Sequence, residues 1–235
     1  LLDNSPLIPA DAQAHEKEHS VEIQIPLLVR RLGPVKIVAL VMNTQDLEVS
    51  RTVGMAIAAA CRGKRVLLIA SSDLSHYPSG RDADAVDKTT LESLKFLDPA
   101  FFWMTNRLIL NRGVQHLKVS YCGEAAVTAV LTAAKELGAN ALKLIERLNS
   151  GDVVSERTYN HVVGYASAAF LKIPGKVPAQ TLTLSDFEKK ELLAAARKGI
   201  EEFFIHGKHA PVALSAYPQL NLPAAAFVSL KSRDG

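Results

Sequence analysis

Asp73, His76 and Cys122 are of types that bind metals or move protons, and each closes or opens an apolar pattern. Asp73 and His76 close the run RVLLIASSDLSHY, residues 65–77, three positions apart. An acid and an imidazole at that spacing form either an acid–base pair or part of a metal site. Cys122 lies in SYCGEAAV, directly before an Ala-rich helical pattern. Unpaired amides and the positive end of a helix dipole there favour the thiolate, the form that ligates soft metals and attacks electrophiles. Each residue also has a purely structural reading. Ser71, Ser72 and Asp73 can cap the next element, His76 can occupy a solvated turn, and Cys122 can be a thiol packed under a helix cap.

A second pattern, His15-Glu-Lys-Glu-His19, satisfies the H-E-x-x-H signature of zinc peptidases, two imidazoles one helical turn apart with a base between them. A zinc helix should continue with an apolar face and meet a third ligand downstream. Here the chain runs into SVEIQIP, with Pro26 close behind and no Glu-rich partner helix, so a charged, solvated helix start is the preferred reading.

The elements that must position these residues follow from hydrophobic periodicity. Residues 20–32 carry apolar side chains at Val21, Ile25, Leu28, Val29 and Leu32, a helical spacing stopped by Gly33-Pro34 and interrupted by Pro26. Residues 35–42 read as a strand, 47–62 as an Ala-rich helix closed by Gly63, and 66–70 as a buried strand. Strand, helix, strand in this order is a βαβ signal, and open α/β folds place ligands beyond the carboxyl ends of their strands. Asp73 and His76 are therefore expected at one cleft. Helices are expected over 82–97, from Asp98-Pro99 through the aromatic cluster Phe101, Phe102 and Trp103, and over 124–137, with strands over 142–148 and 161–171. His116 lies in a turn and carries no signal.

Residues 173–180, IPGKVPAQ, form a linker without periodicity. Beyond it Ser185-Asp-Phe-Glu188 is a capping box, opening a helix whose apolar face is traced by Leu192, Leu193, Ala196, Ile200, Phe203 and Phe204. Residues 225–230 read as a strand. The domain reading is 1–172, a linker over 173–184, and a second unit over 185–235.

With 48% hydrophobic and 22% charged residues, the 235-residue chain has the composition of a globular protein. Lys and Arg number 27 against 24 Asp and Glu, scattered along the chain, so the charge points to neither nucleic acid nor an anionic membrane. Apolar runs such as 37–42 are far short of the about 20 residues a membrane helix needs. A cytoplasmic location is expected, and two cysteines make no disulfide framework. The first residue is Leu1, and the chain stops just after the strand-like 225–230, so both ends read as cuts within a longer protein.

Four blocks in order, EHSVEIQIPLL (18–28), SSDLSHY (71–77), YCGEAAV (121–127), and SGDV with VVGYASAAF (150–153 and 162–170), resemble the Memo family. This is protein B of the AmmeMemoRadiSam system, related in fold to class III extradiol ring-cleaving dioxygenases. The resemblance implies an α/β fold with a dioxygenase-like sheet core and flanking helices. The C-terminal part, LSDFEKKELLAAARKGIEEF through AAAFVSL, resembles the start of an α+β AMMECR domain, protein A of the same system.

By motif, the resemblance makes Cys122 a metal ligand, His76 the residue in the position of the dioxygenase general base, and Asp73 its neighbour. It places His19 and Glu22 near the cleft. It implies copper or iron, an unidentified small-molecule or peptide substrate, and a radical-SAM protein as partner. The family's two other ligand histidines would precede Leu1, so this chain is expected to offer two metal ligands at most and to be inactive alone. A non-catalytic module holding a peptide or small ligand in the same cleft is the alternative reading.

Overall fold

The computed structural model describes residues 5–153, 160–176 and 185–207. It divides into two units, Leu1–Ala179 and Gln180–Gly235. The first mixes helix and strand: α1 (Ile25–Leu32), α2 (Leu47–Cys61), α3 (Gly80–Leu94), α4 (Pro99–Asn111), α5 (Glu124–Glu136), β1 (Ala141–Asn149), the single turn α6 (Ser150–Val153) and β2 (Gly164–Leu171). The second contributes α7 (Asp186–His206).

Local chemistry explains most helix starts. Asp46 accepts a hydrogen bond from the Val49 amide at the head of α2, Ser79 from Asp82 at α3, and Asp98 from Ala100 and Phe101 at α4, where Pro99 fills the first turn. In α7 the capping box is reciprocal: Glu188 N–H donates to Ser185 Oγ at 3.2 Å, and Ser185 N–H to Glu188 Oε2 at 2.8 Å. The backbone of α7 spans the expected helix, and the side chains of Ile200, Phe203 and Phe204 lie outside the described set, as does the expected strand at 225–230.

Two apolar clusters form the core of the first unit. Val53, Ala56, Ile57 and Ala58 of α2 pack on Ala129 and Ala133 of α5. Small residues let these helices approach so closely that a Cβ on Gly54 would stand 2.5 Å from the Ala129 carbonyl oxygen. The second cluster joins Leu74 to Leu91, Leu94 and Leu97, to Phe102 of α4 and to Val127 and Leu131 of α5. It thus anchors the 71–77 run directly to three helices. β1 and β2 pair antiparallel, Ala141 opposite Leu171, with a register shift between Leu144 and Glu146.

Several expectations need correction. Residues 35–42 and 66–70 form no strand ladder, because among the described residues no strand lies alongside to take their hydrogen bonds. One side of each stays in solvent, Val38 74% exposed and Leu67 67%, while Leu40, Met42 and Leu68 pack half-buried on the first cluster and Ala70 on the second. The first half of the chain therefore supplies the helix of a βαβ unit without its paired strands. Helix α1 starts at Ile25 and not at residue 20, with Pro26 in its first turn where a missing N–H costs nothing, and a 3-10 turn, Glu22–Gln24, precedes it. His15 closes a separate 3-10 turn, Gln13–His15, and His19 lies beyond it, so no α-helix carries the two imidazoles of the peptidase pattern on one face. No helix among the described residues is long and apolar enough to cross a membrane.

Candidate metal centre

Residues 74–78 are clamped between two other segments. His76 bridges antiparallel to both Val119 and Val163. Its N–H donates to Val119 O at 3.0 Å, and its carbonyl accepts from Lys118 N–H at 3.1 Å. On the other side Leu74 N–H donates to Gly164 O, Gly164 N–H to Ser75 O, both at 2.8 Å, and Tyr77 N–H to Val162 O at 2.7 Å. Tyr77 then turns the chain through a left-handed conformation, φ 71°, into Pro78 and the capped start of α3. The segment that carries Asp73 and His76 is thus held on both edges, although 66–70 before it is not.

Cys122 is brought to the same place by α5. Asp73 N–H donates to Cys122 Sγ at 3.2 Å, and Cys122 N–H donates back to Asp73 O at 3.3 Å. Ser72 Oγ accepts from Gly123 N–H at 2.7 Å, satisfying one amide at the start of α5 where no side chain of the cap residue does so. The same hydroxyl lies 2.8 Å from Asp73 O and 3.5 Å from Cys122 Sγ, and its single proton serves one of the two at a time.

The donor atoms of Asp73, His76 and Cys122 all lie within 4.8 Å of one another. His76 Nε2 stands 3.4 Å from Asp73 Oδ2, close enough for attraction but outside hydrogen-bond geometry, and it is buried with no hydrogen-bond partner. A buried ring nitrogen without a partner is costly unless something else takes its lone pair or proton. The Cys122 sulfur and the Asp73 carboxyl converge on that nitrogen, and sulfur, imidazole and carboxyl together are a donor set that can hold a metal ion. The group holds three candidate donors, where the sequence reading expected two ligands at most.

His19 and Glu22 are both exposed, and neither forms part of the groove wall built by their neighbours Glu18, Ser20, Val21 and Gln24. The link from this region to the centre is Gln24, whose Nε2 donates to Ser71 Oγ at 3.0 Å. The groove has a volume of about 1580 Å³ and runs from residues 35–42 and 64–69 to Cys122 and Glu124.

Other residues around the centre carried no sequence signal. Glu124 is buried and pairs with Arg107 Nη2 at 2.8 Å and Asn106 Nδ2 at 3.1 Å, while Arg107 stacks over Trp103 at 4.6 Å. Burial raises the Glu124 carboxyl above its ordinary value, and the Arg107 cation works against that rise. Burial, reinforced by the charges of Cys122, Asp87 and Asp73, pushes the Tyr121 phenol far up, so it stays neutral. The Tyr165 phenol is raised too, by burial and then by the Asp73 charge. His116 lies edge-on to His161 with ring centroids 4.7 Å apart, and His161 Nδ1 is 3.0 Å from Tyr77 O.

Comparison with known proteins gives the class. The model of the family described as Memo-like protein matches residues 1–169, and the chain belongs to that family. Among its relatives, a MEMO1 family protein of Nitrosopumilus maritimus is 31% identical over 172 residues, 73% of this chain and 59% of the relative. A MEMO1 family protein of Methanococcoides burtonii is 37% identical over 164 residues, 68% of this chain and 58% of the relative. One from Methanocaldococcus jannaschii is 35% identical over 168 residues, 69% and 55%. The chain therefore spans between half and two thirds of the length of these relatives.

Proposed function

We propose that the chain holds a redox metal, copper or iron, through Cys122, His76 and Asp73, and that it serves dioxygenase-related chemistry on a small molecule or peptide admitted by the groove. The observation that carries this reading is the buried, unpartnered His76 Nε2 at the meeting point of a thiol and a carboxylate. A bound metal of this kind supplies redox and Lewis-acid chemistry.

The protein's own part is to hold and shield. The Asp73 amide donates to the sulfur and orients it, and the Ser72 hydroxyl ties the start of α5 to the same segment. Three protein donors leave further coordination positions open for water or substrate. His76 has a second role open to it, because a neutral imidazole can take a proton from a hydroxylated substrate. One nitrogen cannot do both at once. In that second arrangement Cys122 and Asp73 hold the metal and His76 serves as the base.

The same reading includes a radical-SAM protein as partner and an AMMECR-like identity for the C-terminal unit, both resting on the motif resemblance. The volume and apolar walls of the groove favour one rival, a binding module without turnover. Titrating the whole chain and its Cys122→Ser and His76→Ala variants with Cu+ and Fe2+, while recording oxygen consumption, separates the two. Metal affinity that ignores both substitutions would sink the metal centre. Metal binding without oxygen uptake in the presence of candidate substrates would favour the binding module.

A further inference from the structure

Two histidines outside the centre meet beside the segment that carries it. Val119 and Val163 both bridge to His76, and His116 and His161 lie a few residues before them on the two flanking segments. Their ring centroids are 4.7 Å apart, with the planes at 85°. His161 Nδ1 stands 3.0 Å from Tyr77 O. A carbonyl oxygen only accepts, so Nδ1 carries the proton, and Nε2 of the neutral ring is left with a bare lone pair. Among the described residues neither that nitrogen nor either nitrogen of His116 has a hydrogen-bond partner, and both histidines are exposed.

We propose that His116 and His161 form a second metal site for one divalent cation of the zinc type, with water completing its shell. Imidazoles without carboxylates select zinc, copper or nickel over magnesium and calcium. Two imidazoles bound to one ion at about 2.0–2.1 Å, at an angle between square and tetrahedral, have centroids roughly 4.5–5.5 Å apart. The observed separation falls within that span, and rotation about each metal–nitrogen bond leaves the angle between the planes free. The Tyr77 carbonyl is the outer partner that fixes the tautomer and the turn of a ligating imidazole. Neither histidine belongs to the donors gathered at Asp73, His76 and Cys122, so the site stands or falls independently of that centre. An ion held there would tie together the two segments that grip His76 from either edge.

The competing account is a plain edge-to-face ring contact, which gives no response to metal. Imidazole NMR of the whole chain separates the two, with Zn2+ as the probe. Before metal is added, at mildly alkaline pH, His161 should show the Nδ1–H tautomer. Sub-millimolar Zn2+ should then shift the His116 and His161 signals together, with one midpoint. His161→Gln should weaken the His116 response, and His116→Asn the His161 response, each by at least the about tenfold that loss of even an outer partner costs. Asparagine tolerates the left-handed backbone of residue 116, φ 62°, so this variant keeps the turn. If His161→Gln does not fold, His116→Asn decides alone. Histidine signals that shift only at millimolar Zn2+, or that keep their midpoint when the other histidine is replaced, would overturn the proposal, as would an Nε2–H tautomer at His161.

Discussion

Asp73 and Cys122, 49 residues apart in sequence, exchange hydrogen bonds in both directions, amide to sulfur at 3.2 Å and amide to carbonyl at 3.3 Å. This reciprocal pair docks the N-terminus of α5 onto the 71–77 run. It also puts the sulfur where the carboxylate and the imidazole already are. Cys122→Ala removes one acceptor at an exposed position where water can replace it, so the expected loss of stability is under about 1 kcal/mol. Chemical denaturation of the metal-free chain checks this. A loss of several kcal/mol would mean that the thiol is a core element and not a site residue.

Asp87 makes stability depend on pH in a calculable direction. Burial raises its carboxyl, against smaller opposing effects from Ser75 and the Arg147 cation, while the Asp84 charge adds to the rise. Below the ordinary carboxylate range both folded and unfolded chains carry the proton, and the buried neutral acid costs least. As pH rises the unfolded chain ionises first, and stability falls until the folded carboxyl ionises too. Asparagine has no such transition. The stability of Asp87→Asn relative to the unaltered chain should therefore increase between pH 4 and pH 8 in urea unfolding. A difference that stays flat across this range would show that Asp87 ionises as freely in the folded protein as in the unfolded one.

The centre was more legible in the sequence than the sheet around it. Asp73, His76 and Cys122 stood out because their types are uncommon at such places: small polar residues ending an apolar run, and a thiol heading an Ala-rich helix. Asp87 did not, because the feature that matters is burial against Ser75 and Gly164, two distant segments that no local pattern names. The Glu124, Arg107 and Asn106 network was hidden for the same reason, since it joins the last turns of α4 to the first turn of α5. Conversely, the apolar runs at 35–42 and 66–70 have strand composition, but a strand needs a neighbour to pair with, and local composition does not supply one. His19 and Glu22 are exposed and interleaved with Glu18, Ser20, Val21 and Gln24, which line the groove.

Arg107 should matter most when Glu124 is charged. The Glu124 side chain is only 10% exposed, and Arg107 is its cationic partner at 2.8 Å, with Asn106 as the neutral one. Replacing Arg107 by Met leaves a buried carboxylate with one hydrogen bond and no counter-charge, which costs about 1–3 kcal/mol after allowing for the partial exposure of the arginine. The carboxyl, already raised by burial, would rise further. Protonated, it needs no counter-charge, so the penalty should shrink as pH falls toward 4. Equal destabilisation at pH 4.5 and pH 8 would assign the effect to lost stacking on Trp103 instead.

The two cysteines offer an internal control for the site. Cys61 ends α2, half-buried against the Val53 and Ile57 cluster, whereas Cys122 is exposed at the head of α5 with its sulfur accepting an amide hydrogen bond. Access favours reaction at Cys122. Iodoacetamide at neutral pH should therefore alkylate Cys122 at least several-fold faster than Cys61, as read by peptide mass spectrometry over time. A metal held by Asp73, His76 and Cys122 occupies the sulfur lone pair, so prior loading with Fe2+ should slow labelling at Cys122 and leave Cys61 as it was. Labelling that proceeds at the same rate at both cysteines would remove the argument for an accessible thiol. Protection by metal at Cys61, or at neither residue, would place the ion somewhere other than beside His76.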